Sequence, residues 1–164
     1  MNYCAIKPCD IANGEGVRVS LFVAGCTHHC PGCFNSSTWD FNAGEPFTAE
    51  TVEEILALCA PSHIAGLALL GGEPFEPANQ RGLLPLVRAF RTRYPDKDIW
   101  CYTGFVLERD LLPGGRAHCE ATDELLAALA VLVDGPYVEA LRDPSLAFRG
   151  SSNQRILRLH TPEF

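Results

Sequence analysis

Three cysteines with close spacing are the residues of this sequence most suited to chemistry. Cys26, Cys30 and Cys33 follow the pattern C-x3-C-x2-C, and soft thiolate ligands suit zinc or an iron–sulfur cluster. A closed zinc site needs four ligands, usually from a second Cys or His pair, and the sequence has no such pair. His28 and His29 lie inside the same tight loop, where a tetrahedron closes poorly. The spacing therefore favours a 4Fe–4S cluster with one open iron, while zinc, a redox dithiol and coincidence remain alternatives.

A glycine-rich turn is the second motif. Gly71-Gly72-Glu73-Pro74 directly follows the apolar run 64–70. Two glycines let the backbone approach a ligand closely, and the Glu73 carboxylate can accept a hydrogen bond from an ammonium group. Glycine and proline are also common in plain strand-to-helix turns, so the motif by itself favours a structural role.

The elements that would position these motifs alternate between strand and helix patterns. Residues 17–23 alternate with period 2, as in a strand. Further strands are predicted at 64–70, 99–102 and 131–133, with an edge strand at 155–159. Helices are predicted after a Thr48 cap, over 83–94, and from a Thr122 cap to residue 130.

This alternation predicts an α/β fold: a small partial (β/α) barrel, or an open parallel sheet, of about four to five strands. Ligands of such folds bind at the carboxyl ends of the strands. The cysteine cluster, the glycine turn, Tyr102-Thr103-Gly104 and Asp134-Gly135-Pro136 all fall at such ends. We therefore expect one active site at the C-terminal strand ends.

Length and composition restrict the remaining classes of protein. The 164 residues suit a single domain over 1–164, and the 13 basic and 20 acidic residues give a net charge of −7. Without a basic stripe, nucleic-acid binding is not expected. The longest apolar runs are far shorter than the roughly 20 residues that span a bilayer, and no apolar signal region begins the chain, so we expect a cytoplasmic protein without membrane contact.

The cysteine motif followed by a glycine-glycine-acid-proline turn resembles the signature of radical S-adenosylmethionine enzymes. One branch is especially similar, the activating proteins of anaerobic (class III) ribonucleoside-triphosphate reductase. The supporting stretches cover nearly the whole chain in the family's order: 13–18, 26–35, 37–39, 98–100, 132–135 and 143–154. Gly32 departs from the wider superfamily, in which an aromatic residue usually precedes the third cysteine, although this branch tolerates glycine. Glu73 stands where relatives can carry Asp, which keeps the carboxylate.

The resemblance implies an oxidoreductase that activates a glycyl-radical enzyme. Cys26, Cys30 and Cys33 would hold the 4Fe–4S cluster, whose open iron binds the amino and carboxylate groups of S-adenosylmethionine. Reductive cleavage would give methionine and a 5′-deoxyadenosyl radical. That radical would take a hydrogen atom from a glycine of the large catalytic subunit of the anaerobic reductase, with an electron donor such as a flavodoxin. The remaining cofactor contacts implied are Gly32, Cys33, Phe34, Gly71, Gly72, Glu73 and Thr103.

Two other functions remain open from the sequence. The same chemistry could activate another enzyme, such as one similar to pyruvate formate-lyase, or the chain could be a non-catalytic zinc-binding module. Within the stretch 143–154, Arg149 and the following residues 150–153 are predicted to form a flexible polar loop. With its cation Arg149, it would hold the reductase or the rim of the active site, or it would only cover a sheet edge.

Overall fold

A seven-stranded mixed sheet is the framework of the computed structural model, which describes residues 1–160. The strands are β1 Asn2–Asp10, β2 Val17–Val23, β3 Glu45–Pro46, β4 Ile64–Gly71, β5 Asp98–Tyr102, β6 Val131–Asp134 and β7 Arg155–Arg158. The helices are α1 Ala49–Leu58, α2 Pro77–Arg93 and α3 Thr122–Ala128. The strand order across the sheet is β3-β1-β2-β4-β5-β6-β7.

The centre of the sheet has the predicted βαβ organisation. β2, β4, β5 and β6 are parallel neighbours, and α1, α2 and α3 lie between them in sequence. The α/β class is therefore confirmed.

The edges of the sheet differ from the prediction. About four to five strands were expected, which is wrong, because β1 and β3 extend the sheet beyond β2 and β7 extends it beyond β6. These added strands pair antiparallel, so the sheet is mixed instead of parallel. Within residues 1–160 the outer strands β3 and β7 do not pair with each other, and the sheet stays open.

One face of the sheet packs against the helices. The main core cluster combines Val19, Leu21, Leu67 and Leu69 of the strands with buried residues of all three helices. Thr48 caps α1 as predicted, with its hydroxyl accepting a hydrogen bond from Thr51 N. No helix within residues 1–160 is long and apolar enough to cross a membrane.

The start and the end of α3 differ from the prediction. Its N-cap is Ala121, and Thr122 is instead the first helical residue. The buried Thr122 hydroxyl donates to Gln80 Oε1 at 2.6 Å, which joins α3 to α2. The helix stops at Ala128 because Leu129 is already extended and leads into β6.

The opposite face of the sheet carries three cross-strand layers. The register places Arg18, Gly66 and Asp98 in the first layer, Ser20, Ala68, Trp100 and Val131 in the second, and Phe22, Leu70, Tyr102 and Val133 in the third. In the first layer the buried Arg18 pairs with Asp98. The third layer lies closest to the carboxyl ends of the strands, and its four side chains all line a cavity there.

Candidate functional site

The cavity at the carboxyl ends of the central strands has a volume of about 410 Å³, within the roughly 300–1,000 Å³ of small-molecule sites. Eight of the residues implied by the family resemblance line it: Cys26, Cys30, Cys33, Phe34, Gly71, Gly72, Glu73 and Thr103. Gly32 lies in the same loop but does not line the cavity. The topology therefore brings the cysteine loop, the glycine turn and the end of β5 together.

The cysteine loop joins β2 to β3, and its only helical piece is a 3-10 turn at Ser36–Thr38. It folds back on itself, since Cys26 N donates to Trp39 O at 3.0 Å and the His29 ring stacks on Trp39 at 4.6 Å. Gly32 has φ of +75°, which suits glycine and lets the chain turn between Cys30 and Cys33.

The three thiols of this loop are free, with Cys26 buried and the other two half-buried. Burial raises the pKa of Cys26 to about 11; the backbone N–H of His28 opposes this rise, whereas the carboxylate of Glu73 adds to it. Burial also raises the pKa of Cys30, while the backbone N–H of Tyr137 lowers it. A metal ion or cluster that is bound by Cys26 and Cys30 as thiolates must therefore displace the protons of both thiols.

The donor set fits an iron–sulfur cluster. Three thiols line one cavity. The backbone N–H of Asn35 donates to Cys33 Sγ at 3.4 Å, and hydrogen bonds to the cysteine sulfurs are usual around iron–sulfur clusters. Among residues 1–160, no three His, Cys, Asp or Glu side chains converge as the ligands of a single ion do. A cube does not require such convergence, because each cysteine binds a different iron.

Glu73 fixes the cysteine loop to the sheet. Its side chain is 1% exposed. Oε1 accepts hydrogen bonds from Phe75 N at 2.9 Å and Thr103 Oγ1 at 2.7 Å. Oε2 accepts from Gly104 N at 2.7 Å and lies 2.9 Å from His28 Nε2. Since a carboxylate has about four acceptor positions, these contacts inside the protein occupy its whole capacity.

Two further side chains of the same turn hold the start of the cysteine loop. Glu76 Oε1 accepts from Thr27 N at 2.8 Å and from Thr27 Oγ1 at 2.5 Å. Asn79 Nδ2 donates to Ala24 O at 3.0 Å and to Glu73 O at 2.9 Å. Glu76 is the N-cap residue of α2 and Asn79 lies in its first turn, so both side chains reach the cysteine loop from the start of this helix.

The glycine turn packs against the loop that carries Cys26. Gly72 N donates to Val23 O at 2.8 Å and Glu73 N donates to Gly25 O at 2.7 Å. A Cβ on Gly72 would lie 2.4 Å from Gly25 O, and one on Gly71 would lie 2.6 Å from Val23 N. These glycines are therefore required for close contact between two backbone segments, in addition to any approach to a ligand.

The segment 149–154 is a compact turn within the described chain, and the predicted flexible loop is wrong. Gln154 Oε1 accepts from Gly150 N at 2.9 Å and Ser151 N at 3.1 Å, and its Nε2 donates to Gly135 O at 3.0 Å. These bonds hold the segment to the end of β6. Arg149, Gly150 and Gln154 line the cavity from this side.

Sequence reasoning missed several residues that hold the site together. His28 was considered only as a metal ligand, and Glu76 and Asn79 were not singled out. Their contacts with residues roughly fifty positions away depend on the pairing of β2 with β4. The available signal was a set of three polar residues, two acids and an amide, at positions 73, 76 and 79 around the start of a helix. All three side chains are buried in the structure.

Comparison with known proteins agrees with this geometry. Residues 12–157 match the family model described as a 4Fe-4S single cluster domain. The class defined by the fold and the site is thus that of α/β proteins that carry a single iron–sulfur cluster.

The relatives define the family more closely. The anaerobic ribonucleoside-triphosphate reductase-activating protein of Escherichia coli (strain K12) is 44% identical over 161 residues, covering 97% of this chain and 99% of the relative. The protein of the same name from Vibrio cholerae serotype O1 is 43% identical over 96% of this chain and 98% of its own. The one from Enterobacteria phage T4 is 42% identical over 95% of this chain and 93% of its own. The chain belongs to the family of anaerobic ribonucleoside-triphosphate reductase-activating proteins.

Proposed function

We propose that this protein is a radical S-adenosylmethionine activase, which generates a glycyl radical on the large catalytic subunit of the anaerobic ribonucleoside-triphosphate reductase. One observation carries the proposal: three thiols and a glycine turn, separate in sequence, line a single cavity at the carboxyl ends of parallel strands. The names of the relatives support the reductase as the partner.

Cys26, Cys30 and Cys33 would hold a 4Fe–4S cluster. When bound, this group supplies one electron that splits S-adenosylmethionine into methionine and a 5′-deoxyadenosyl radical, which takes a hydrogen atom from the target glycine. The protein provides the binding cavity, the orientation of the two cofactors and the exclusion of water.

The residues around the cysteines divide these tasks. Glu73 and Glu76 hold the cysteine loop through His28 and Thr27. Because the Glu73 carboxylate is occupied inside the protein, the proposed partner of the methionyl ammonium is the backbone of the glycine turn, where Gly71 and Gly72 line the cavity. Gly32, Cys33 and Phe34 remain proposed neighbours of the cofactor.

Thr103 remains a proposed ribose contact, although its hydroxyl already donates to Glu73 and accepts from Phe105 N at 3.1 Å. We further propose that the active unit is the single domain 1–164, that it works in the cytoplasm, and that a donor such as a flavodoxin supplies the electron.

The direct test is anaerobic. The purified protein should contain about four iron and four sulfide per chain. After reduction it should convert S-adenosylmethionine to methionine and 5′-deoxyadenosine, and it should produce a glycyl radical signal in electron paramagnetic resonance when the reductase large subunit is added. Stoichiometric zinc without iron after reconstitution would instead support the zinc-binding module. Radical formation only on an enzyme similar to pyruvate formate-lyase would identify a different target.

A further inference from the structure

Two basic side chains of this protein have no polar partner in the described chain. Eleven of the 13 lysine and arginine residues bond a carboxylate or a backbone carbonyl through their charged groups. Within residues 1–160, Lys7 and Arg142 are the two that form neither an ion pair nor a hydrogen bond with these groups. Both side chains are exposed. A chain with a net charge of −7 therefore leaves two positive charges unpaired at defined positions.

Both cations lie beside the cavity, on opposite sides of it. Lys7 lines the cavity from β1, with Nζ 4.9 Å from the centroid of the Phe22 ring. Arg142 follows β6 in the chain, and its Cζ lies 5.3 Å from the centroid of the Phe34 ring. Both rings line the cavity. Since β2, β4 and β5 separate β1 from β6 in the sheet, the cavity has a positive charge on each side.

The acidic side chains closest in sequence to these cations bond to other groups. The Asp10 carboxylate accepts hydrogen bonds from Ala12 N at 2.9 Å and Asn13 Nδ2 at 2.6 Å. The Asp143 carboxylate accepts from Ser145 N at 2.9 Å and Ser145 Oγ at 2.6 Å. A carboxylate that comes from another molecule can therefore pair with either cation without breaking an ion pair inside the protein.

The backbone that carries Arg142 is fixed before any partner binds. Arg142 directly follows a 3-10 turn at Glu139–Leu141. Ser152 N donates to the carbonyl at the end of this turn at 3.0 Å. At its other end the turn packs against the cysteine loop, since a Cβ on Gly32 would meet Glu139 Cδ at 2.7 Å. Only the side chain of Arg142 loses conformational freedom when it binds a partner, which favours binding.

An exposed apolar surface accompanies the charge on this side of the cavity. The Phe34 side chain is 66% exposed and Leu141 is 44% exposed. One side of the Phe34 ring packs against Tyr137, with the centroids 5.4 Å apart. Aromatic residues and arginine are enriched where proteins bind other proteins. A small ligand enclosed in the cavity does not need this outer surface, so the combination indicates a protein partner.

We propose that Lys7, Phe34, Leu141 and Arg142 form a docking surface for the glycine-bearing segment of the reductase large subunit, and that this segment carries acidic side chains near its glycine. The inference rests on the proposed function for the identity of the partner. The segment has to enter the cavity for hydrogen transfer, which brings its carboxylates between the two cations. Lys7 and Arg142 thereby set the position in which the segment enters.

Charge reversal tests this docking surface. In cluster-loaded protein under anaerobic conditions, Lys7→Glu and Arg142→Glu should each raise the Kd for the large subunit about tenfold at low ionic strength. The difference from the wild type should shrink to within about twofold at roughly 0.5 M NaCl, because salt screens exposed charges. Arg81→Glu is the matched control. It makes the same change in net charge at an exposed arginine of α2, which covers the other face of the sheet, and its Kd should stay within about twofold.

Three measurements on the same variants distinguish other occupants of the surface. The Kd for S-adenosylmethionine should stay within about twofold of the wild type; a tenfold rise would assign the cations to the cofactor and overturn the proposal. Slower reduction by a flavodoxin with an unchanged Kd for the large subunit would assign the surface to the electron donor. A dimer of this protein that dissociates on Arg142→Glu would assign it to a second copy. Either result would overturn the proposal.

Failure of the proposed function has a different signature. A wild-type protein that binds the large subunit in the predicted manner but does not cleave S-adenosylmethionine would overturn the function and leave the docking surface in place. A wild-type protein that cleaves it, while Lys7→Glu and Arg142→Glu bind the large subunit as tightly as the wild type, would overturn the docking surface alone. Absence of any binding of the large subunit by the wild type would also overturn the docking surface.

Discussion

The Glu73 carboxylate accepts hydrogen bonds from the cysteine loop, the turn after β4 and the turn after β5. In the sequence it looked like a ligand for an ammonium group. The structure gives it an internal task, since one buried carboxylate fixes three segments that each border the cavity.

Replacement of Glu73 by glutamine tests that task. The amide NH2 group cannot accept from the backbone N–H of Phe75 or Gly104, so Glu73→Gln should lose at least one of the four hydrogen bonds. We expect a loss of about 1–3 kcal/mol in the free energy of unfolding and lower iron content after reconstitution. Chemical denaturation and iron analysis measure the two effects. Glu54→Gln, at an exposed position of α1, is the control; equal behaviour of both variants would contradict the role of Glu73.

The cysteines allow a second prediction at this scale. Cys26→Ser, Cys30→Ser and Cys33→Ser should each lose the cluster, because serine is a poor ligand for these irons. Cys59→Ser and Cys101→Ser should retain it, since both thiols are 0% exposed in the core beneath the helices. Iron and sulfide analysis of anaerobically prepared protein measures the difference. Loss of iron from Cys101→Ser at full helical content would contradict the assignment.

Backbone contacts fix the position of the cysteine loop relative to the glycine turn after β4. The Gly25 carbonyl meets Gly72, so the segment that leads into Cys26 lies directly on the turn after β4. Since Gly72 has an ordinary φ, its need for glycine comes from contact and not from backbone strain.

Gly72→Ala should therefore act through the position of the loop. Its Cβ would meet Gly25 O at 2.4 Å, which should cost about 3 kcal/mol of stability and lower the iron content. Gly114→Ala is the matched control: nothing lies within 4 Å of its Cβ, and φ of +91° should cost only about 1–2 kcal/mol. The interpretation fails if Gly72→Ala keeps wild-type stability and iron content.

A second prediction at the element scale concerns the π-helical turn at Leu107–Leu111. The hydrogen bond from Arg109, helped by the N–H of Val106, lowers the pKa of the buried Asp110 to about 2, against the opposing effect of burial. A depressed pKa in the folded state stabilises the fold above the unfolded value near 4, and this stability is lost as the pH falls toward 2.

Asp110→Asn should then cost about 1–3 kcal/mol near pH 7. The difference from the wild type should shrink as the pH falls from about 4 to about 2. Urea denaturation at several pH values measures this change. A difference that does not vary with pH would show that the ion pairs with Arg109 and Arg116 do not stabilise the turn.

For the whole molecule, the sequence predicted the parts with strong periodicity. The alternation over 17–23 and the apolar run 64–70 gave β2 and β4 almost to the residue. β1 was missed because two register shifts, at Tyr3/Ala5 and Lys7/Asp10, break its alternation. β3 has only two residues, too few for any periodic signal. An edge strand at 155–159 was correctly expected, as β7 shows.

The short range of sequence patterns also explains which parts of the site could be predicted. Motif spacing located the cysteines and the glycine turn, because these signals lie within a few residues of each other. The bond between His28 and Glu73 joins positions 45 apart, and the bond between Asn79 and Ala24 joins positions 55 apart. Such contacts follow from strand register and packing, which local sequence patterns do not specify.

Cluster binding should also change the behaviour of the whole chain. The loop from β2 to β3 contains one short helical turn and exposes Phe34 by 66% and Phe41 by 40%. A group that binds only the native state stabilises it, so the loaded protein should resist chymotrypsin in this loop more than the apoprotein. Fragment masses from limited proteolysis provide the measurement. Equal rates of cleavage at Phe34 and Phe41 would show that the cluster does not order the loop.

The contact between Gly25 and Gly72 has an evolutionary consequence. Each position excludes a side chain, because a Cβ on Gly72 meets the Gly25 carbonyl and one on Gly25 meets the Phe41 ring at 2.2 Å. A larger residue at Gly72 cannot be compensated by a smaller one at Gly25, since no smaller residue exists. We therefore expect Gly72 to stay invariant among lineages of this family, and Gly25, whose φ is +98°, to stay glycine even where Phe41 is replaced.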